Sequence, residues 1–195
     1  FILFVFIFFY TIAGLFVGTL ADRFNRTKII GIGVILWSAF TAISGFAKNF
    51  LTLAAPRLFI GIGESAITPT TMSILSDRFD RDKLGFAAGF YYLGVPVGVG
   101  ISLIIAGYIE PLIGWRGCFY LLGAIGLLLG LLMLLVKDTP RKNVPTKSNP
   151  ESFLSIIKLL FKVLLNSKSL MLTVLAGTLY HIVLGAAQFE VVWAV

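Results

Sequence analysis

Leu53-Ala54-Ala55-Pro56-Arg57-Leu58-Phe59-Ile60-Gly61-Ile62-Gly63-Glu64-Ser65 carries an arginine and a glutamate inside a run too apolar to be a water-facing loop. At about 1.5 Å per residue, the seven positions from Arg57 to Glu64 span roughly 10 Å, two helical turns, so both charges leave one helix face. Ionised side chains inside membrane helices are costly and rare, and they turn toward a bundle interior or a wet cavity. The stretch predicts a membrane transporter with Arg57 and Glu64 in its translocation path.

Composition agrees. Of 195 residues, 58% are hydrophobic and 13% charged, and the mean hydropathy is +0.97. Soluble domains are closer to half apolar and a quarter charged, so the chain reads as an all-α integral membrane protein. It opens on Phe1 and both ends lie in apolar runs (Phe1–Ala21 and Leu170–Val195), which predicts a piece of a longer chain. The opening run has no basic segment and no small-residue cleavage site, so it is not a signal peptide. One cysteine, Cys118, excludes an internal disulfide, and with one histidine no Cys/His zinc cluster can form. No metal or cofactor is expected.

About 20 apolar residues cross a bilayer. The candidate spans are Phe1–Ala21, Ile29–Ala47, Phe50–Ser76, Leu84–Ile109, Trp115–Val136 and Ser169–Val195. Three of the five connections, Asp22–Lys28, Asp77–Lys83 and Lys137–Lys168, hold 13 of the 16 Lys and Arg residues. The positive-inside rule puts these three in the cytoplasm. The net charge of +7 therefore reads as membrane topology rather than as a nucleic-acid surface. With its first connection cytoplasmic, the chain is expected to follow one further helix. The expected organisation is a helical half-bundle over 1–136, a cytoplasmic linker over 137–168 and the first helix of a second half over 169–195.

Two connections share a pattern, Asp22-Arg23-Phe24-Asn25-Arg26-Thr27-Lys28 and Asp77-Arg78-Phe79-Asp80-Arg81-Asp82-Lys83. Either can be a tight turn in which Asp caps a helix and basic residues anchor it. In the first, Gly18 precedes Asp22 by one turn and permits close helix approach. Gly18, Asp22, Arg23, Arg26 and Lys28 are thus candidates for a conformational latch between states of a bistable bundle. The Leu84–Ile109 span has Gly85, Gly89, Gly94 and Gly98, with Pro96 inside the second pair, so Gly94, Pro96 and Gly98 suit close packing or a hinge. Tyr91 and Tyr92 can line a cavity or serve packing.

Beyond the Pro-containing linker, Asn149 and Pro150 suit a helix start. Glu151, Ser155, Lys158 and Lys162 lie opposite Phe153, Leu154, Ile157, Leu160, Phe161 and Leu164, the pattern of an amphipathic helix on the cytoplasmic surface. The last span holds Tyr180, His181, Gln188 and Glu190. His181 falls about 18 Å along its helix, near mid-membrane. It and Gln188 are candidates for proton or substrate contact, against the alternative of hydrogen-bonded packing.

The segment Gly18-Thr19-Leu20-Ala21-Asp22-Arg23-Phe24-Asn25-Arg26-Thr27-Lys28 resembles the loop signature of the major facilitator superfamily between its second and third helices. Arg57 followed by Gly61, Gly63 and Glu64 resembles that superfamily's fourth-helix motif, and Trp115-Arg116 its sixth-helix start. Arg57-x-x-x-Gly61-x-Gly63-Glu64-Ser65, with Pro69 and Ser76-Asp77 after it, is most similar to the spinster-like branch. The resemblance implies helices two to seven of a twelve-helix transporter, with six transmembrane helices and the amphipathic cytoplasmic helix in this chain. Two positions depart from the pattern. Asn25 replaces a usual glycine and is expected to tolerate a left-handed backbone, and Thr27 replaces a usual cation.

The function expected is secondary active transport of a small organic or lipid-like solute by alternating access, coupled to protons, in a plasma or bacterial inner membrane. Arg57 would bind an anionic group or a carboxylate, since it stays protonated, and Glu64 would take and release the proton. Their depths along the helix argue against a direct Arg57–Glu64 bridge and for partners on other helices. A non-transporting receptor or scaffold, and an organic-anion or drug transporter of another branch, are the alternatives. No filter loop of a channel and no nucleophile, metal or paired-carboxylate cluster of an enzyme is visible, so no catalytic residue is expected.

Overall fold

The computed structural model describes residues 2–142, 162–163 and 165–179. The chain divides into two compact units, Phe1–Lys142 and Asn143–Val195. The described part of the second unit includes one apolar helix, Lys168–Leu179. The amphipathic pattern around Glu151–Lys162 falls almost wholly outside the described residues, as do Tyr180, His181, Gln188 and Glu190.

The first unit is all helical. Its elements are α1 (Ile2–Arg23), α2 (Arg26–Ser44), α3 (Phe50–Ser65), α4 (Ile67–Arg78), α5 (Arg81–Tyr92), α6 (Gly94–Ile104), a π-helical turn (Ile105–Ile109) and α7 (Glu110–Leu134). Capping sets the starts. Asn25 accepts from the Lys28 amide at 3.0 Å and so opens α2. Its φ of −63° and ψ of 118° are extended rather than left-handed, which corrects the sequence expectation: the asparagine is here as an N-cap, a task glycine performs without a side chain. Asn49 and Thr52 form a reciprocal capping box at the start of α3.

Prolines set the interruptions. A proline cannot donate to the carbonyl four residues back, and its ring crowds that carbonyl. Pro69 thereby disturbs Ser65, and the helix breaks at Ala66; Pro96 disturbs Tyr92, and it breaks at Leu93. Both break residues keep right-handed helical angles, so α3 and α4 continue one another as a 29-residue rod, Phe50–Arg78.

Four helical stretches among the described residues are long and apolar enough to cross a membrane: Phe6–Arg23, Arg26–Ser44, Phe50–Arg78 and Arg81–Leu134. The sequence predicted six spans over the whole chain. The difference has a local cause, since Arg81–Leu134 is 54 residues, about 80 Å if straight, against a hydrocarbon core of about 30 Å. Gly114 resolves it with φ 70° and ψ 164°, a conformation essentially confined to glycine. The chain folds back there, so that Ser102 and Ile105 line one cleft with Phe119 and Leu122.

Inside the bundle α2 lies between α3 and α7, and α1 lies along α3. Small residues let the backbones meet, as in membrane helices generally. A Cβ on Gly63 would stand 2.6 Å from the Gly33 carbonyl oxygen, and one on Gly123 would stand 2.8 Å from that of Ser38. Phe40 and Phe59 stack at 4.2 Å beside the α2–α3 crossing. The buried apolar residues are mostly alanines, while large apolar residues such as Phe86, Phe90 and Leu103 are exposed. That distribution suits a lipid solvent, where outward apolar groups cost nothing.

Candidate functional site

Arg57 and Glu64 both sit on α3, half-buried, and point to different neighbours. Arg57 lies with its guanidinium carbon 5.4 Å from the centre of the Phe119 ring on α7, a cation–π arrangement. No ion pair joins it to a carboxylate among the described residues. Arg116, one turn earlier on α7 than Tyr120, covers the Trp115 ring at 4.1 Å and donates to the Ala47 carbonyl at 2.9 Å.

Glu64 lies one turn before Thr68 along the α3–α4 rod. Thr68, four positions on, shares its face of the α3–α4 rod. The Thr68 hydroxyl meets the Tyr91 hydroxyl of α5 at 3.3 Å. α1, which carries Tyr10, packs against α4 beside this pair. The rings of Tyr91 and Tyr92 meet edge to face at 5.1 Å. A small cavity of about 220 Å³ is lined by Thr68, Tyr91, Tyr92, Gly94 and Val95. Glu64 itself has no cation paired to it among the described residues. Of this group the sequence had singled out Glu64, Tyr91 and Tyr92. Tyr10 and Thr68 carry no signal beyond being hydroxyls in apolar runs, because only packing brings α1 beside α4.

Arg26 organises a second polar centre at the other end of the bundle. Its side chain is 1% exposed, yet each of its three nitrogens donates a hydrogen bond. Nη1 donates to Asp77 at 2.5 Å and to the Ser73 hydroxyl at 3.1 Å. Nε donates to Asp138 at 3.2 Å, and Nη2 to the Thr139 carbonyl at 2.7 Å. The Arg26 backbone amide also donates to Asp138 at 2.8 Å. A buried guanidinium needs such a set, because its charge and five N–H groups lose water together. Arg141 donates to the Ala21 and Phe24 carbonyls at the end of α1, and Lys142 pairs with Asp80 at 3.1 Å. Asp77 lies just past the apolar part of its helix, and hydrogen bonding from Arg26 holds its carboxyl below the usual carboxylate range.

Of the five residues expected to form a latch, Arg26 is at the centre of this cluster. Asp22, Arg23 and Lys28 are exposed and form no ion pair among the described residues. A Cβ on Gly18 would meet nothing within 4 Å, and the same is true of Gly94 and Gly98. Asp77, Asp138 and Arg141 were visible in the sequence only as turn and linker residues. The stretch Asp138–Lys142, at the start of the expected linker, binds across the ends of α1, α2 and α4.

Comparison with known proteins agrees with this architecture. A family model described as Major Facilitator Superfamily matches residues 1–193. Protein spinster of Drosophila melanogaster is 31% identical over 183 residues, 93% of this chain and 30% of its own length. The probable sphingolipid transporter spinster homolog 1 of Arabidopsis thaliana is 33% identical over 102 residues, 52% of this chain and 21% of its own. A crystal structure of a bacterial homolog to the human lysosomal transporter spinster, inward-facing and occupied, aligns with a TM-score of 0.61 and 30% identity. That alignment covers 72% of this chain and 36% of the other. The chain therefore spans a third or less of the curated relatives named here. A match along almost its full length, on a bundle of apolar helices, means that the chain belongs to the major facilitator superfamily, a multi-pass membrane transport fold rather than an enzyme fold, and is similar to its spinster-like members.

Proposed function

We propose that the protein is a proton-coupled secondary transporter that moves a small organic or lipid-like solute by alternating access, with Glu64 as the group that takes and releases the proton. The observation that carries this reading is the position of Glu64, half-buried within a span and without a paired cation among the described residues. A carboxylate in a span can take up or release a proton as its surroundings change between solvent and protein. Lipid-like cargo is supported by the sphingolipid transporter among the relatives. A small organic anion is the second reading, favoured by Arg57, whose guanidinium faces a ring rather than a carboxylate.

The same reading takes the basic connections as cytoplasmic, in a plasma or bacterial inner membrane, and the chain as helices two to seven of twelve. His181 and Gln188, outside the described residues, are further candidates for proton or substrate contact. The Arg26 cluster would serve as a latch that holds one state of the bundle. The test is uptake by the full-length protein in proteoliposomes under an imposed pH gradient, across lipid and organic-anion panels. Glu64→Gln is expected to abolish the response to the gradient. Full pH-driven uptake by that variant refutes the proton role.

A further inference from the structure

Two arginines meet aromatic rings on α7, and they differ in what their N–H groups do. Arg116 covers the Trp115 ring at 4.1 Å and also donates to the Ala47 carbonyl at 2.9 Å, which ties α7 to the chain between α2 and α3. Arg57 stands over the Phe119 ring at 5.4 Å. Among the described residues no carboxylate pairs with Arg57, and no acceptor takes a hydrogen bond from it. Its nitrogens are not sealed in either. The side-chain polar atoms buried without a partner, among the described residues, are those of Ser38 and Thr70.

Trp115 and Phe119 are one turn apart, and their rings meet edge to face at 6.0 Å. The side chains therefore run Arg57, Phe119, Trp115, Arg116 in one series of ring and cation contacts, fastened at its far end to Ala47. Glu110 lines a cleft beside Trp115 and Phe119, yet it pairs with neither arginine among the described residues. The charge of Arg57 is thus held by a ring and not neutralised.

We propose that Phe119 is a positioning residue for Arg57, its ring holding the guanidinium so that the N–H donors are left for an anionic group of the solute. An aromatic face attracts a cation through its quadrupole. A carboxylate would instead take two of the five N–H groups. The unspent planar fork suits a carboxylate or a phosphate monoester, each of which it can hold through two parallel bonds. A long side chain with no such rest divides its time among rotamers, and a solute meets the competent one for only a fraction of that time. The Phe119 ring removes this loss, and Trp115 keeps the ring in place. Arg116, with a donor spent on Ala47, belongs to the frame.

This role for Phe119 rests on Arg57 meeting an anionic group of the solute, and the experiment separates the two. The full-length protein is reconstituted in proteoliposomes. Initial uptake of radiolabelled dodecyl phosphate and of gluconate gives KM and maximal rate for wild type, Phe119→Leu, Phe119→Tyr and Arg57→Gln. Which anion is carried tells a lipid headgroup from a small organic acid. For that anion Phe119→Leu, which keeps apolar bulk and loses the ring, is expected to raise KM about two- to fivefold, the worth of a cation–π contact at a partly exposed site. The maximal rate stays as in wild type, because what is lost is binding. Phe119→Tyr restores KM. Arg57→Gln raises it by about tenfold or more, as loss of a hydrogen bond to a charged group does. A Phe119→Leu KM equal to or below that of wild type, a fall in maximal rate alone, or a Phe119→Tyr KM equal to that of Phe119→Leu overturns the proposal while leaving Arg57 its role. A wild-type KM in Arg57→Gln, or saturable uptake of neither anion, overturns both.

Discussion

Asp138→Asn tests whether the Arg26 cluster holds the end of the bundle as a charge pair or merely as a set of hydrogen bonds. The amide side chain of this variant keeps one acceptor, enough for the Arg26 backbone amide now at 2.8 Å from the carboxylate. It loses the charge opposite Nε, where the distance is 3.2 Å. Removing one partner of a buried ion pair costs about 3–5 kcal/mol. Here Asp138 is 17% exposed and Asp77 still pairs with Arg26, so the loss falls to about 2–3 kcal/mol, that of a hydrogen bond to a charged group. At about 2–4 °C per kcal/mol for a protein of this size class, the melting temperature should fall by about 4–12 °C.

The assay is thermal unfolding in detergent of four proteins: wild type, Asp138→Asn, Arg26→Ala and the double variant. Arg26→Ala leaves two carboxylates facing each other without their cation, and should cost about 3–5 kcal/mol. In that background Asp138→Asn should cost almost nothing, since asparagine caps a helix as well as aspartate does. The expected coupling is about 2 kcal/mol. Additive losses in the double variant, or an Asp138→Asn melting point within about 1 °C of wild type, would show that the pairing contributes nothing.

Two further outcomes follow from particular residues. Asp77 has its carboxyl held low by Arg26, so its contribution to stability is fully present above the unfolded aspartate value near 3.9 and is lost as pH falls through the still lower folded value. Melting curves of wild type and Asp77→Asn should therefore differ by a constant amount from about pH 5 to 8 and converge only in strong acid; a gap that closes near neutrality contradicts the pairing. Gly63→Ala puts a Cβ 2.6 Å from the Gly33 oxygen and 2.8 Å from the Trp37 nitrogen, both rigid backbone atoms, whereas a Cβ on Gly98 meets nothing within 4 Å. Gly63→Ala should destabilise by about 1–3 kcal/mol as overpacking does, while Gly98→Ala should melt at or above the wild-type temperature, since a helix favours alanine; the reverse order would mean that the α2–α3 crossing is looser than it looks.

Much of the candidate site was legible because its signal is local. Arg57 and Glu64 stand out in an apolar run whatever surrounds them, and Arg26 belongs to a recognisable loop pattern. Their partners were not legible. Asp138 is 112 positions from Arg26, and in sequence it is one acid in a polar, proline-containing stretch that reads as linker. Thr68 and Tyr10 are ordinary hydroxyls until α1 and α4 are seen side by side. Asn25 shows the opposite failure: a correct local rule about left-handed asparagine was overruled by the side-chain cap that the helix start required.

The amino-acid sequence by itself determined that the chain is a membrane protein of helices, where its polar connections fall, and which ionised residues lie within spans. These follow from hydropathy, periodicity and charge, which depend on neighbours along the chain. Only the tertiary structure decided that Arg57 faces Phe119, that the Thr68 hydroxyl meets that of Tyr91, and that Asp138–Lys142 closes over the Arg26 end. In a lipid solvent apolar residues gain nothing by turning inward. Which face of each helix meets which neighbour is therefore set by glycine contacts and by the need of each buried polar group for a partner, and both are known only once the helices are brought together.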